Sequence, residues 1–265
     1  MIAALCSIDV KWEDKEYNMA RIEKLLDSFC FSPDVVFFPE MFTTGFTMDI
    51  SFAEPMEGKT LSWMQSLAKR YGFAVAGSIP IYEIGRERVF NRFLFVAPEG
   101  LLGFYDKRHL FRMGGEIENY TRGEESRIIS YKGVNFLLNI CYDLRFPVWS
   151  RNIDNRWDVL VNVANFPASR RAVIEPLIKA RAIENSAYAL FVNRVGEDTL
   201  CSYEESSYGV NFKGEIISEE VKEADLSRFG EGSKVYKVTI DKEKLDHFRS
   251  VFQVWRDADQ FKIEN

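Results

Sequence analysis

An α/β fold is predicted by two patterns that run the length of the chain. Short apolar runs alternate with amphipathic segments of helical spacing, and several of the runs are apolar on both faces, as strands in the middle of a covered sheet are. A third observation sets the domain count: the 265 residues contain no repeat, no low-complexity linker and no break in composition, so 1–265 reads as one domain.

The opening run Met1-Ile2-Ala3-Ala4-Leu5-Cys6 lacks a basic leader and a long hydrophobic stretch, and is read as a first buried strand rather than a signal peptide. A helix is predicted over 14–29, where Met19, Ile22, Leu25, Leu26 and Phe29 recur at helical spacing with Lys and Glu between them. A second begins near Thr60, with Leu61, Met64, Leu67 and Ala68 on one face and Gly72 placed to end it. Strands are predicted over 35–38, 73–79, 89–97, 133–140, 159–163 and 187–192. A third helix covers 175–185, with Pro176 in the first turn, where a missing amide proton leaves no intrahelical bond unmade. The segment 209–217 reads as a hairpin with Lys213-Gly214 at its turn. After Lys242 comes a charged, aromatic-containing tail, 242–265, expected to pack on the body or on a partner subunit.

Composition narrows the function classes. Lys and Arg number 34 against 40 Asp and Glu, a formal charge of -6, so no basic surface makes nucleic acid the default partner. No apolar run approaches the roughly 20 residues of a membrane-spanning helix, so no membrane partner is expected. Cys6, Cys30, Cys141 and Cys201 are scattered without paired spacing, which fits reduced thiols in a cytoplasm. With only two histidines, His109 and His247, they give no ligand-pair pattern, and no metal is predicted. A small molecule is the expected ligand.

Three strand ends each deliver one reactive residue. The run Val35-Val36-Phe37-Phe38 stops at Pro39 and presents Glu40; the strand before Tyr105-Asp106 presents Lys107; the run Phe136-Leu137-Leu138-Asn139-Ile140 presents Cys141. Ligands of α/β sheets bind in the crevice at the carboxyl ends of strands, so these groups are positioned to converge there. A thiol attacks only as thiolate and needs a base or cation to lower its pKa from about 8.5. With few histidines to serve, a Glu-Lys-Cys set is the better reading. Taken singly, each residue has an ordinary alternative: a packed cysteine, a solvated loop carboxylate, an exposed basic turn.

As whole motifs, FFPEMFTTGF around Glu40, YDKRHLF around Lys107 and NICYDLRFPVWSRN around Cys141 resemble the three signature segments of the nitrilase superfamily of carbon-nitrogen hydrolases, in that family's order. RAIENSAY, 181–188, and FQVWRDADQF, 252–261, resemble its bacterial ω-amidase branch, related to the Nit2-type proteins. The resemblance implies a four-layer αββα sandwich, a homodimer or higher homo-oligomer, a site without cofactor, and release of ammonia from the terminal amide of a 2-oxo dicarboxylic acid monoamide such as 2-oxoglutaramate or 2-oxosuccinamate. It places Cys141 as nucleophile, Glu40 as general base and Lys107 as the cation beside the developing oxyanion. Glu116, in FRMGGEIENY, falls where the family often carries a second glutamate, with Glu118 the competing choice.

Amide hydrolysis needs one group to attack, one to carry protons and one to hold negative charge. The backbone amide of Tyr142 is the expected second oxyanion donor. Arg145, four residues after Cys141 where a helix could start, is the candidate for the substrate's far carboxylate, because its planar fork suits one; a structural salt bridge is the alternative. Asn165 and Phe166 are expected to line the same mouth, though packing explains Phe166 as well, and Glu184 is read as a helix-borne carboxylate that is structural or supports the site's residues from behind, rather than a catalytic one. The runner-up function is another carbon-nitrogen hydrolase of the family, acting on a small aliphatic amide, a carbamoyl group or a nitrile. An inactive binding relative is the reading from another class, and the complete reactive set argues against it.

Overall fold

The predicted alternation is realised as strands and helices interleaved in chain order. The computed structural model describes every residue except 84, 86, 260, 264 and 265. Its first half contains β1 (Ile2–Ser7), α1 (Lys15–Asp27), β2 (Val35–Phe37), α2 (Lys59–Tyr71), β3 (Ala74–Tyr82), β4 (Val89–Ala97), β5 (Gly100–Asp106) and the single turn α3 (Glu116–Asn119). There follow β6 (Ile128–Tyr131), β7 (Val134–Ile140), β8 (Val159–Ala164), α4 (Ile174–Glu184), β9 (Tyr188–Asn193), β10 (Gly196–Glu197), β11 (Ser202–Tyr203), β12 (Tyr208–Val210), β13 (Glu219–Glu220), β14 (Lys234–Thr239) and α5 (Lys242–Val251). Local chemistry sets the helix ends. The Asp14 carboxylate accepts from Tyr17 N to start α1, and Gly72, at φ 75°, closes α2 by donating to the Ala68 carbonyl.

The strands form two main sheets, ordered β13-β14-β1-β2-β3-β4-β5 and β12-β9-β8-β7-β6. In the first, β1, β2 and β3 are parallel; in the second, β7, β8 and β9 are. Period-2 alternation divides the apolar residues between layers. Ala3, Leu5, Phe37, Ala76 and Phe95 share one core with Phe136, Leu138 and Ile140 of the other sheet, and the Phe37 ring lies 6.0 Å from that of Phe136. The intervening Ala4, Cys6, Val36, Phe38 and Val75 face Ile22 and Leu25 of α1 and Met64 and Leu67 of α2. On the far side α4 packs Ile174, Ile178 and Ala182 against the five-stranded sheet. The result is the four-layer αββα sandwich that the sequence motifs implied.

Departures from the sequence reading have physical causes. The strands β6, β13 and β14, at or next to sheet edges, escape notice because they are short or carry charges between apolar residues. The hairpin over 209–217 exists, but its return arm is a single bridge, Val210 to Ile216, around a turn closed by Gly214 N donating to Asn211 O at 2.9 Å. The segment expected as a tail begins instead with the regular helix α5, capped by Asp241, whose carboxylate accepts from Lys244 N at 3.0 Å. Its apolar face is thin, and a cation anchors it. The buried Arg249 guanidinium donates to Asp158 at 2.9 Å, to the Trp157 carbonyl at 2.7 Å and to the Ser186 carbonyl at 2.8 Å. Within FQVWRDADQF, Gln260 lies outside the described residues.

Removing one partner of such a pair strands the other charge in the interior, so Arg249→Ala is expected to lower unfolding stability by about 3 kcal/mol in a urea titration. A change within about 0.5 kcal/mol, as at an ordinary surface site, would contradict this packing of α5.

Candidate active site

The carboxyl ends of three strands meet at one edge of the sandwich. Because β4 is antiparallel to both β3 and β5, β5 runs in the direction of β2 and β3, and Lys107 emerges on the same side as Glu40. The second sheet delivers Cys141 at the end of β7 and Asn165 at the end of β8. The two sheets are joined there: the Glu40 carboxylate accepts from Asn165 N at 2.9 Å, and Asn165 Nδ2 donates to the Glu40 carbonyl at 2.6 Å.

Glu40, Lys107 and Glu116 are fully buried, and Cys141 is 9% exposed. Lys107 Nζ donates to Glu40 Oε1 at 2.7 Å and to both oxygens of Glu116, at 3.0 and 2.8 Å. Asn91 Nδ2 bridges the same two carboxylates, at 2.7 Å from Glu40 Oε1 and 3.2 Å from Glu116 Oε1. Glu116 Oε2 also accepts from Phe111 N at 2.6 Å, which locks the loop after Lys107 over the cluster. Glu118 is exposed, on the opposite side of the α3 turn.

Two buried carboxylates sharing one ammonium set the protonation states. Burial opposes the Lys107 charge, but Glu116 and Glu40 outweigh it and hold the ammonium's pKa above its ordinary value. Burial and the Glu40 charge raise Glu116, against the pull of Lys107. Burial, then Glu40, push the Cys141 thiol well up, with Lys107 opposing. The resting site therefore holds a thiol beside a carboxylate and a fixed cation.

The Cys141 backbone is strained into place. Cys141 has φ 44° at the step from β7 into a 3-10 turn, Cys141–Arg145, and Met41, next to Glu40, has φ 44° as well. Left-handed backbone at such residues costs on the order of 1 kcal/mol or more, so something must hold it. At Cys141 that holder is Asp143. Its buried carboxylate accepts from Ile140 N at 2.9 Å, Tyr105 Oη at 2.7 Å and His109 N at 3.0 Å, and lies 2.7 Å from His109 Nδ1. One side chain thus ties the Cys141 turn to both flanks of Lys107. A close backbone contact adds to this: a Cβ on Gly123 would lie 2.1 Å from the Asp106 carbonyl.

The cluster opens into a cavity of about 380 Å³ whose walls include Glu40, Lys107, Cys141, Tyr142, Asn165 and Phe166. Tyr142 packs edge-on against Phe111 and Phe146, at 5.3 and 5.1 Å between ring centres. Arg145 reaches the cavity from the last residue of the 3-10 turn, so it closes a helix rather than starting one. Its guanidinium lies 5.8 Å from the Phe166 ring centre. Asn165 lines the mouth but also fixes Glu40, a task the sequence did not disclose. Glu184 pairs with Arg181 at 2.9 Å on α4, away from the cavity. Sequence reasoning missed Asn91, Asp143, Arg170 and Cys201. Asn91 sits mid-strand, and the other three stand in loops or turns whose direction only the fold supplies.

A family model for carbon-nitrogen hydrolases matches residues 2–250. The chain belongs to the carbon-nitrogen hydrolase family. It is 38% identical over 254 residues to the omega-amidase YafV of Escherichia coli, covering 95% of this chain and 94% of that one. It is 28% identical to the 2-oxoglutaramate amidase of Bacillus subtilis, covering 83% of this chain and 86% of that one. Its fold superposes with a TM-score of 0.91 on XC1258 from Xanthomonas campestris, a CN-hydrolase superfamily protein with an arsenic adduct in its active site; the two are 34% identical, over 100% of this chain and 99% of that one.

Because the Glu40 charge is among the causes that raise the Cys141 thiol, while Lys107 lowers it, Glu40→Gln is expected to make that thiol more acidic. The midpoint of the pH profile for its alkylation by iodoacetamide then moves below that of the wild type. An unchanged or higher midpoint would mean that the two side chains do not share one electrostatic site.

Proposed function

We propose that the protein is an ω-amidase, which hydrolyses the terminal amide of 2-oxo dicarboxylic acid monoamides such as 2-oxoglutaramate and 2-oxosuccinamate through a thioester on Cys141. The observation that carries this reading is the buried ammonium of Lys107, held by Glu40 and Glu116 beside a cysteine that lines an open cavity. The resemblance to an omega-amidase and a 2-oxoglutaramate amidase supports the substrate class.

In the proposed cycle Glu40 accepts the Cys141 proton as sulfur bonds to the amide carbon. A neutral thiol next to a carboxylate favours this coupled transfer over a preformed thiolate. The former carbonyl oxygen gains negative charge and is stabilised by Lys107 and by the backbone amide of Tyr142, both fixed before substrate arrives. The C–N bond breaks as Glu40 returns the proton to nitrogen, and ammonia leaves. Water then gives a proton to Glu40, and its hydroxide adds to the thioester carbon. Collapse frees the dicarboxylate product and returns the proton to sulfur. Glu116 keeps Lys107 charged and in place and helps orient that water. Arg145, at the cavity wall, binds the substrate's far carboxylate.

The four cysteines are free thiols, which supports a reducing cytoplasm as the working compartment. Among the described residues no helix is long and apolar enough to cross a membrane. Exposed apolar side chains of Val251, Phe252 and Phe261 in the last segment, and of Ile153, which shares one surface cleft with Phe261, support a homo-oligomer that covers them.

Ammonia release from 2-oxoglutaramate, 2-oxosuccinamate, glutamine and a simple aliphatic nitrile, assayed in parallel, tests the reading. Turnover selective for the first two is expected; selective turnover of the nitrile would replace it with the family alternative. Loss of a positioned base or oxyanion donor typically costs about a hundredfold to a thousandfold in rate, so folded Glu40→Gln and Lys107→Met should fall at least that far. Near-normal kcat in either would remove its assigned role. Arg145→Ala should raise KM for 2-oxo acid amides more than for neutral amides, and equal effects on both would remove the carboxylate contact.

A further inference from the structure

The cavity holds a second arginine. Arg170 follows β8, in the turn Ala168–Val173, and lines the wall together with Arg145 and Phe166. Its guanidinium lies 4.5 Å from the ring centre of Phe111 and 5.8 Å from that of Phe166, the same distance from Phe166 as the Arg145 guanidinium. Among the described residues neither guanidinium has a carboxylate within 4.0 Å or a hydrogen-bond acceptor. The next residue, Arg171, is exposed and contacts Glu204 and the Glu205 carbonyl instead. Stacking on an aromatic ring uses the face of a guanidinium and leaves its N–H edge unspent. Two such edges at one largely apolar cavity repel each other until an anion enters.

We infer that Arg170 and Arg145, both within reach of the Phe166 ring, form a two-arginine clamp that holds the free carboxylate of the substrate. A carboxylate offers about four lone-pair sites and one guanidinium fork fills two, so a second fork completes the set. The clamp also puts two cations without a carboxylate partner at the cavity wall, whereas the Lys107 charge beside Cys141 is already met by Glu40 and Glu116. A substrate must therefore present its neutral amide inward to Cys141 and its anionic end to the arginines. This inference rests on the ω-amidase reading and adds Arg170 as a specificity-determining residue.

The test compares wild type with Arg170→Gln, which keeps polarity without the charge, and with Arg170→Lys, which keeps charge without the fork. For Arg170→Gln, KM for 2-oxoglutaramate should rise at least about tenfold more than KM for butyramide, with a smaller rise for Arg170→Lys. Equal effects on the two substrates, or none on either, would overturn the clamp. If the wild type does not prefer 2-oxoglutaramate, the ω-amidase reading fails, and the clamp is then judged by alkylation of Cys141. Arg170→Gln should slow iodoacetate, the anion, relative to iodoacetamide, its neutral analogue, by about tenfold. An unchanged ratio of the two rates would overturn the clamp whatever the substrate proves to be.

Discussion

The structure turns on one buried ammonium. Lys107 has no solvent exposure, and a charge so placed persists only if its surroundings replace the water it has lost. Glu40 and Glu116 do so, and neither is near Lys107 by local geometry alone: Glu40 arrives on β2, Lys107 on β5 and Glu116 through the turn α3. The sheet order that brings β2 and β5 to the same edge, and the loop that folds Glu116 back, are thus conditions for the charge to be tolerated. Burial and the same carboxylates push the neighbouring Cys141 thiol up, so in the proposed cycle the thiolate forms only as its proton moves. Stability of the ion cluster and restraint of the thiol are one arrangement.

A third buried carboxylate keeps this cluster in register with Cys141. Asp143 has no path to the reacting atoms in the proposed cycle, yet it receives the backbone N–H of Ile140, just before Cys141, and that of His109, two residues after Lys107. The left-handed backbone at Cys141 is held by this tether from within its own turn, while Asn165 pins Glu40 from the opposite sheet. Glu40 and Lys107 are thus fixed by partners from other strand ends, and Cys141 by a residue of its own turn that is tied to the loop of Lys107. Such cross-bracing is what a site needs if its donors are to be aimed before substrate arrives.

Much of this was legible in the sequence, and the part that was not has a pattern. Apolar runs such as Val159–Ala164 and Val89–Ala97 announced central strands because both faces are buried. Glu40, Lys107 and Cys141 stood out because each follows such a run and each lies in a motif of recognisable order. The residues that support them did not stand out. Asn91 reads as one polar position in a strand, and Asp143 as one acid in a loop; their roles depend on which strands become neighbours. Arg249 was hidden in a charged segment that looked like a tail, since its partners at Asp158, Trp157 and Ser186 are remote in sequence. Arg170 was one of two adjacent arginines, and only the fold decides which of them turns into the cavity.

The central claim is that sulfur, carboxylate and ammonium act together on one amide. It is tested most directly by quenching the enzyme in acid during turnover of 2-oxoglutaramate and measuring the intact mass, followed by peptide mapping. An acyl adduct located on Cys141 and absent from Cys141→Ala is the expected result. Steady ammonia release with no adduct on Cys141, or with undiminished release by Cys141→Ala, would contradict the account.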